Sequence, residues 1–240
     1  MFAGREGKRV NDTTEYGETW VYESIVGALP GVNIGERGAI VLQIAVFEVG
    51  VLFFAWVYDL WTAAVAGTAA IVVAAVGSVV MLRMGEQTRA AAVPVPYRRL
   101  LFGSSIEVVL GVLAFVALVT HLFVFDPQQT ETPLLTVLFG AEPPVIVVYL
   151  TLLVLWDLCY RIGTSWWAAV VNLWGAVRYR FDEPTARSVK RVNYLNVGFG
   201  VAQVLLVPFV LDQPVLLVAV GGHVVAVTVV SVAAALLTRT

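Results

Sequence analysis

The sequence predicts an all-α integral membrane protein, a polytopic bundle of six transmembrane helices with short interfacial helices at the cytoplasmic surface. Of its 240 residues, 59% are hydrophobic and only 13% are charged, against about 45–50% and about 25% in soluble domains. The mean hydropathy is +0.85, and six apolar stretches are long enough to cross a hydrocarbon layer of about 30 Å. These observations exclude a soluble enzyme, a secreted disulfide scaffold and a disordered chain.

Six apolar stretches make up the transmembrane domain, residues 38–240, which follows a polar cytoplasmic segment of residues 1–37. Each stretch holds about 20 residues, the number that spans the bilayer at about 1.5 Å per residue. The predicted spans are 38–58, 62–82, 105–125, 143–160, 192–211 and 215–237.

Charged residues and prolines mark where these spans begin and end. Asp59 follows the first span, Arg83 the second and Asp126 the third. The fourth begins at Pro143-Pro144, where a helix start leaves N–H groups unpaired in any case. The fifth contains Pro208, which predicts a kink, and the sixth is an uninterrupted run rich in Val, Ala and Leu.

The distribution of charge orients the bundle. All fifteen Lys and Arg residues lie in four segments, namely 1–37, 83–104, 161–191 and 238–240. The three remaining connections carry only acidic charges, which are Asp59, Asp126, Glu131, Glu142 and Asp212. The positive-inside rule therefore predicts a cell-membrane protein with both termini in the cytoplasm, as an even number of spans requires.

Two segments of the cytoplasmic side are predicted to lie along the membrane surface. Residues 165–174 hold three tryptophans between Arg161 and Arg178, and this stretch is too short to span the bilayer. A weaker candidate is residues 20–26. Tryptophan prefers the headgroup level, and arginine binds anionic headgroups. The residues predicted at the lipid interface are Trp166, Trp167, Trp174, Arg98 and Arg99.

Ionisable and polar side chains within the spans are the main functional signal, because such groups are costly in hydrocarbon. Glu48 lies at the middle of the first span. Carboxyl and imidazole groups spread across the bilayer are the parts of a proton relay. The predicted relay consists of Glu48, His121, His223, Gln203 and Glu107. The alternative is that Glu48 bonds Gln203 or His223 and only fixes the helix register.

Two further patterns predict contacts within the bundle. Asp157 and Arg161 are four residues apart and are predicted to form a structural ion pair at the inner boundary, with the arginine reaching the headgroups. In the fifth span, small and polar residues recur on one helical face, which predicts a face that meets other helices. These residues are Asn193, Asn196, Gly200 and Gln203.

No motif of a nucleotide-binding, zinc-protease, thiol-redox or serine-hydrolase enzyme occurs, so the prediction leans against an enzyme and against a bound cofactor. Proton-linked or small-ion transport is the preferred function. A scaffold or accessory subunit that docks a partner through its Trp-rich inner helices is the alternative. The third candidate function is a haem or metal-binding protein. Haem would lie between His121 and His223, or a metal ion would be held by these two histidines and Glu48. The lipid bilayer is the expected partner. A protein at the cytoplasmic face or a second copy of the chain is a further possible partner, and no nucleic acid is expected to bind.

Residues 156–167 read Trp-Asp-Leu-Cys-Tyr-Arg-Ile-Gly-Thr-Ser-Trp-Trp, the spans are rich in Val and Ala, and thirteen arginines stand against two lysines. In these features the chain resembles multi-span membrane proteins of halophilic archaea. The resemblance implies a cell-membrane protein and brings no known activity or functional residue. Substrate, direction of transport, oligomeric state and partner identity stay open.

Overall fold

The computed structural model describes Trp20 and residues 36–240. Almost all of the predicted cytoplasmic segment 1–37, and the weaker interfacial candidate except for Trp20, therefore lie outside the described residues. The described part is built from helices and contains no strand. The all-α class is confirmed.

Six of the helices are long and apolar enough to cross a membrane. In chain order, the helices are α1 (Glu36–Tyr58), α2 (Trp61–Ala90), α3 (Val95–Phe102), α4 (Ile106–Thr120), α5 (Asp126–Gln129), α6 (Leu134–Phe139), α7 (Val145–Arg178), α8 (Glu183–Ala202) and α9 (Pro214–Leu237). Two of them change geometry toward the side with the acidic connections. A π-helix, His121–Phe125, joins α4 to α5, and a 3₁₀ helix, Gln203–Phe209, continues α8.

The fourth span is much longer than predicted. The range 143–160 ended where Arg161 interrupts the apolar run, and 165–174 was assigned to a separate interfacial helix. This assignment is wrong, because α7 is one continuous helix of 34 residues. Its length is about 51 Å at 1.5 Å per residue, so it spans the bilayer and extends beyond it. The helix continues because Asp157 offsets the charge of Arg161 and the next residues are buried against neighbouring helices.

The fifth span begins earlier than the predicted residue 192. Helix α8 starts at Glu183, with Pro184 in its first turn, where a missing N–H costs nothing. Thr185, Ala186 and Val189 are buried, so the charged first half of α8 is an amphipathic helix. Hydropathy alone misses such a segment because its polar face lowers the average.

Helix α7 forms the centre of the bundle and packs against α2, α4 and α9. Its crossing with α4 is very close: a Cβ atom on Gly163 would lie 2.6 Å from the backbone N of Gly111. Helix α1 is the outermost, packing mainly on α2 and leaving Val46, Val49 and Phe53 exposed toward lipid.

An aromatic cluster closes the end of the bundle that carries the basic connections. Trp20, Tyr97, Phe102 and Phe181 are all buried there, and the ring centroids of Trp20 and Phe102 are 4.8 Å apart. Trp20 is therefore a core residue. The prediction that residues 20–26 lie along the membrane surface is wrong for this residue.

We expect Gly163→Ala to lower the stability of the fold by about 1–3 kcal/mol, because the added methyl group has no room at the α4–α7 crossing. Thermal unfolding in detergent measures the effect. The matched control is Gly198→Ala, whose Cβ would meet nothing within 4 Å. The control should be neutral or stabilising, since alanine favours helix by about 1 kcal/mol over glycine. Equal melting temperatures for the two variants would contradict the close crossing.

Candidate functional site

The five residues of the predicted relay are spread over the bundle. Glu48 lies on α1, Glu107 on α4 and His223 on α9, while His121 and Gln203 begin the π-helix and the 3₁₀ helix. No hydrogen bond between described residues joins any two of them. Helices α1, α4 and α9, which carry Glu48, Glu107 and His223, pack mainly on other helices and not on one another. The relay stays a prediction.

Glu48 has a partner on the neighbouring helix. The hydroxyl of Thr68 on α2 donates a hydrogen bond to Oε1 of Glu48, at 2.8 Å. The alternative prediction, that Glu48 bonds Gln203 or His223, is therefore wrong. A threonine in an Ala-rich helix gave no signal of this role in the sequence.

Glu107 and Gln203 are both buried. Glu107 is 0% exposed, and neither of its carboxyl oxygens has a hydrogen-bond partner among the described residues. It lies one turn before Gly111, beside the close crossing of α4 and α7. Gln203 is 1% exposed, and its Nε2 atom has no partner within the described part of the chain.

The two histidines lie against aromatic rings on different helices. The ring centroids of His121 and Phe125 are 5.5 Å apart, and those of His223 and Trp166 are 6.4 Å apart. Nε2 of each histidine is buried and has no hydrogen-bond partner in the part of the chain that the structure describes. Among residues 38–240, no group of three His, Cys, Asp or Glu side chains could hold a metal ion, so the site with both histidines and Glu48 is not assembled. Haem between the histidines stays a prediction.

Asp157 and Arg161 form a two-point ion pair inside the bundle. Nη2 of Arg161 lies 2.7 Å from Oδ1 of Asp157, and Nε lies 3.2 Å from Oδ2. The arginine side chain is only 1% exposed and Nη1 lies 3.7 Å from the sulfur of Met81 on α2. It turns into the bundle, so the prediction that Arg161 reaches the headgroups is wrong. Gly77 permits this, because a Cβ atom there would lie 2.8 Å from Cδ of Arg161.

A small cavity lined by both polar and apolar residues lies beside this ion pair. Its volume is about 10 Å³, enough for one water molecule. Gln43 of α1, Ser78 of α2 and Asp157 of α7 supply its polar lining. In the sequence, Ser78 follows Ala70 and Ala74 at four-residue steps, which indicates only helix packing, and Gln43 has no predicted role. A glutamine in an otherwise apolar stretch of the first span was the available signal.

A second polar cluster ties the inner parts of α7, α8 and α9 together. Ser165 donates to Oδ1 of Asn196 at 2.7 Å, and Nδ2 of Asn196 donates to the backbone oxygen of Ser165 and to Oγ of Ser231, at 3.0 and 3.1 Å. All three residues are buried. This cluster satisfies its own polar groups and therefore holds helices together.

The residues predicted at the lipid interface lie in different environments. Nε1 of Trp167 donates to the backbone oxygen of Leu100 at 3.0 Å, which fixes α3 against α7. Trp174 is 38% exposed and packs edge-on against Tyr179. Trp166 and Arg98 are half-buried, and Arg99 is exposed.

In chemical terms, the bundle offers a carboxyl group bonded to a hydroxyl and, on the same α1–α2 side, a second carboxylate beside an arginine and a water-sized space. Carboxyl groups placed in this way can exchange protons with water. Residues 15–234 match the profile of a protein family described as a family of unknown function (DUF7530). No curated protein and no solved structure matches the chain.

We expect Asp157→Leu to cost about 3–5 kcal/mol of stability, because it removes the carboxylate partner of a buried guanidinium group. The double variant Asp157→Leu/Arg161→Met should recover much of this loss, since no buried charge remains. Thermal unfolding in detergent measures both. The control is Glu86→Gln, which removes the ion pair of Glu86 with Arg83, at 3.5 Å and exposed, and should cost under about 1 kcal/mol. Additive effects of the two core substitutions would contradict the pairing.

Proposed function

We infer the function of this chain, which belongs to the DUF7530 family of unknown function, from its own residues. We propose that this multi-pass membrane protein moves protons, or a small ion or solute linked to protons, across the bilayer. The route follows the contact of α1 and α2 with α7. Its polar groups are Gln43, Glu48, Thr68, Ser78 and Asp157.

The small cavity at Asp157 is the observation that carries this proposal. Three helices each place one polar side chain around it, and its volume suits a single water molecule. A scaffold has no need of a hydrated carboxylate within the membrane, where ionisable groups are costly. The adjacent Arg161 is a fixed positive charge that holds Asp157 in place.

Glu48 is the second proton-carrying group of the proposed route. It lies five residues beyond Gln43 on α1, a distance of about 7.5 Å along the helix axis. Thr68 and Ser78 are ten residues apart on α2, or about 15 Å. Water must bridge these gaps, and a shift of α1 would admit it. Helix α1 suits such a movement because it is the outermost helix and packs mainly on α2.

The other predicted relay residues take no step in this route. Glu107, His121 and His223 belong to the α4 and α9 side of the bundle. Gln203 begins the 3₁₀ helix, which packs on both α2 and α9. His121 and Gln203 begin the two helical segments with irregular geometry. Short 3₁₀ and π segments within helices are common at hinges and functional sites, so we assign these two residues to the points where α4 and α8 bend.

Docking of a partner protein through the Trp-rich segment is the less favoured function. Residues 165–174 belong to the central helix, where Ala168, Ala169 and Val171 are all 0% exposed. The Trp167 indole is already bonded within the chain. The surface left for a partner is therefore smaller than the sequence predicted.

We expect Glu48→Gln to reduce proton flux in liposomes to the rate of protein-free liposomes, because the amide cannot carry the proton. Glutamine keeps the oxygen that accepts the bond from Thr68, so the fold should persist. A pH-sensitive dye inside the liposomes reports flux under an imposed pH gradient.

The matched control is Glu131→Gln, which changes an exposed carboxylate and should leave the flux unchanged. Flux of the Glu48→Gln variant equal to that of the unmodified protein would overturn the role of Glu48. A folded, unmodified protein without proton-linked flux would overturn the transport proposal itself.

The proposed orientation places both termini in the cytoplasm, on the side of the basic connections. A membrane-impermeant maleimide should label Glu131→Cys in intact cells and should label Thr240→Cys only after lysis. Both positions are exposed, and the native Cys159 is buried, so it should not react. The reverse labelling pattern would contradict this orientation.

A further inference from the structure

A larger cavity lies toward the end of the bundle opposite the aromatic cluster. Its volume is about 150 Å³, and it lies between α1, α2 and α7 beneath the short helix α6. Val51, Phe54, Ala64, Gly67, Leu138 and Val154 contribute to its walls. It shares no relay residue with the proposed proton route.

The described residues that line this cavity offer no free polar side chain. Thr151 is the only polar one among them, and its hydroxyl donates to the backbone oxygen of Val147 at 2.8 Å. A dry apolar cavity of this kind excludes ions and water and accepts apolar molecules. The chemistry of the walls therefore selects a hydrocarbon ligand.

The depth of the cavity determines which hydrocarbon is available. Ala64 lies three residues into α2, and Val154 lies nine residues into α7. At 1.5 Å per residue these positions are about 4.5 and 13.5 Å below the helix ends. A hydrocarbon layer of about 30 Å places the cavity within the leaflet on the side of the acidic connections. Lipid chains are the hydrocarbons present at that depth.

The short helix α6 covers the cavity. Leu134, Leu135, Leu138 and Phe139 all line it. Oδ2 of Asp126 accepts a hydrogen bond from the backbone N–H of Leu134 at 2.7 Å, and Asp126 is only 3% exposed. The helix ends at Gly140, whose φ of 82° is a conformation that favours glycine.

The geometry points to a binding site for the end of a lipid hydrocarbon chain from the leaflet on the acidic side. An engineered cavity of about 150 Å³ binds benzene, so this one takes several carbons of a chain end and leaves the headgroup outside. A bound chain fills the space between α1 and its neighbours and so ties the outermost helix to the bundle.

Photocrosslinking in liposomes tests this site directly. The probe is a phosphatidylcholine with a diazirine at the end of one acyl chain, and mass spectrometry locates the modified residues. We expect modification of Val51 and Leu138 inside the cavity. Ala64→Leu fills the cavity and should abolish modification at both positions. Leu135→Trp, which fills the cavity from helix α6, should have the same effect.

The matched control is Ala45→Leu, which enlarges a lipid-exposed position of α1 and should keep the modification inside the cavity. Modification confined to exposed residues such as Val49 and Leu52 in the unmodified protein would overturn the site. So would modification inside the cavity that persists in both filled variants, provided that their melting temperatures show them to be folded.

Discussion

Lipid offers no hydrogen bonds, so a polar group within the spans is costly unless it finds a partner inside the protein or in trapped water. The Asp157–Arg161 pair is the clearest consequence. Both charges lie on the central helix, and the two-point contact between them lets that helix carry an arginine through an apolar bundle. The pair lies at the position where the apolar run of α7 is interrupted.

The same helix explains how the rest of the bundle packs. Small residues on its surface admit close neighbours, as Gly163 does for Gly111 of α4. Polar residues on another face bond across to α8 and α9, as Ser165 does to Asn196. In membranes, close backbone approach and hydrogen bonds between helices take the place of hydrophobic burial as the forces that join helices.

Two cavities lie along the contact of α1 and α2 with α7. The smaller one, lined by both polar and apolar residues, has room for about one water beside Asp157, and the apolar one, about 150 Å³, lies under α6. Residues of α1 line both. One outer helix therefore borders the proposed proton route and the proposed lipid site, and a lipid chain bound in the second would affect how readily water enters the first.

The sequence by itself determined the class of the protein, the six spans and the i,i+4 pairing of Asp157 with Arg161, because apolar length and helical periodicity are local properties of a chain. The inward face of α8, with Asn193, Asn196 and Gln203 buried, followed from the same periodicity. Only the tertiary structure decided that 165–174 belongs to α7, that Glu48 bonds Thr68, and that Gln43 and Ser78 meet Asp157. Each of these depends on which helices become neighbours, and hydropathy carries no information about that choice.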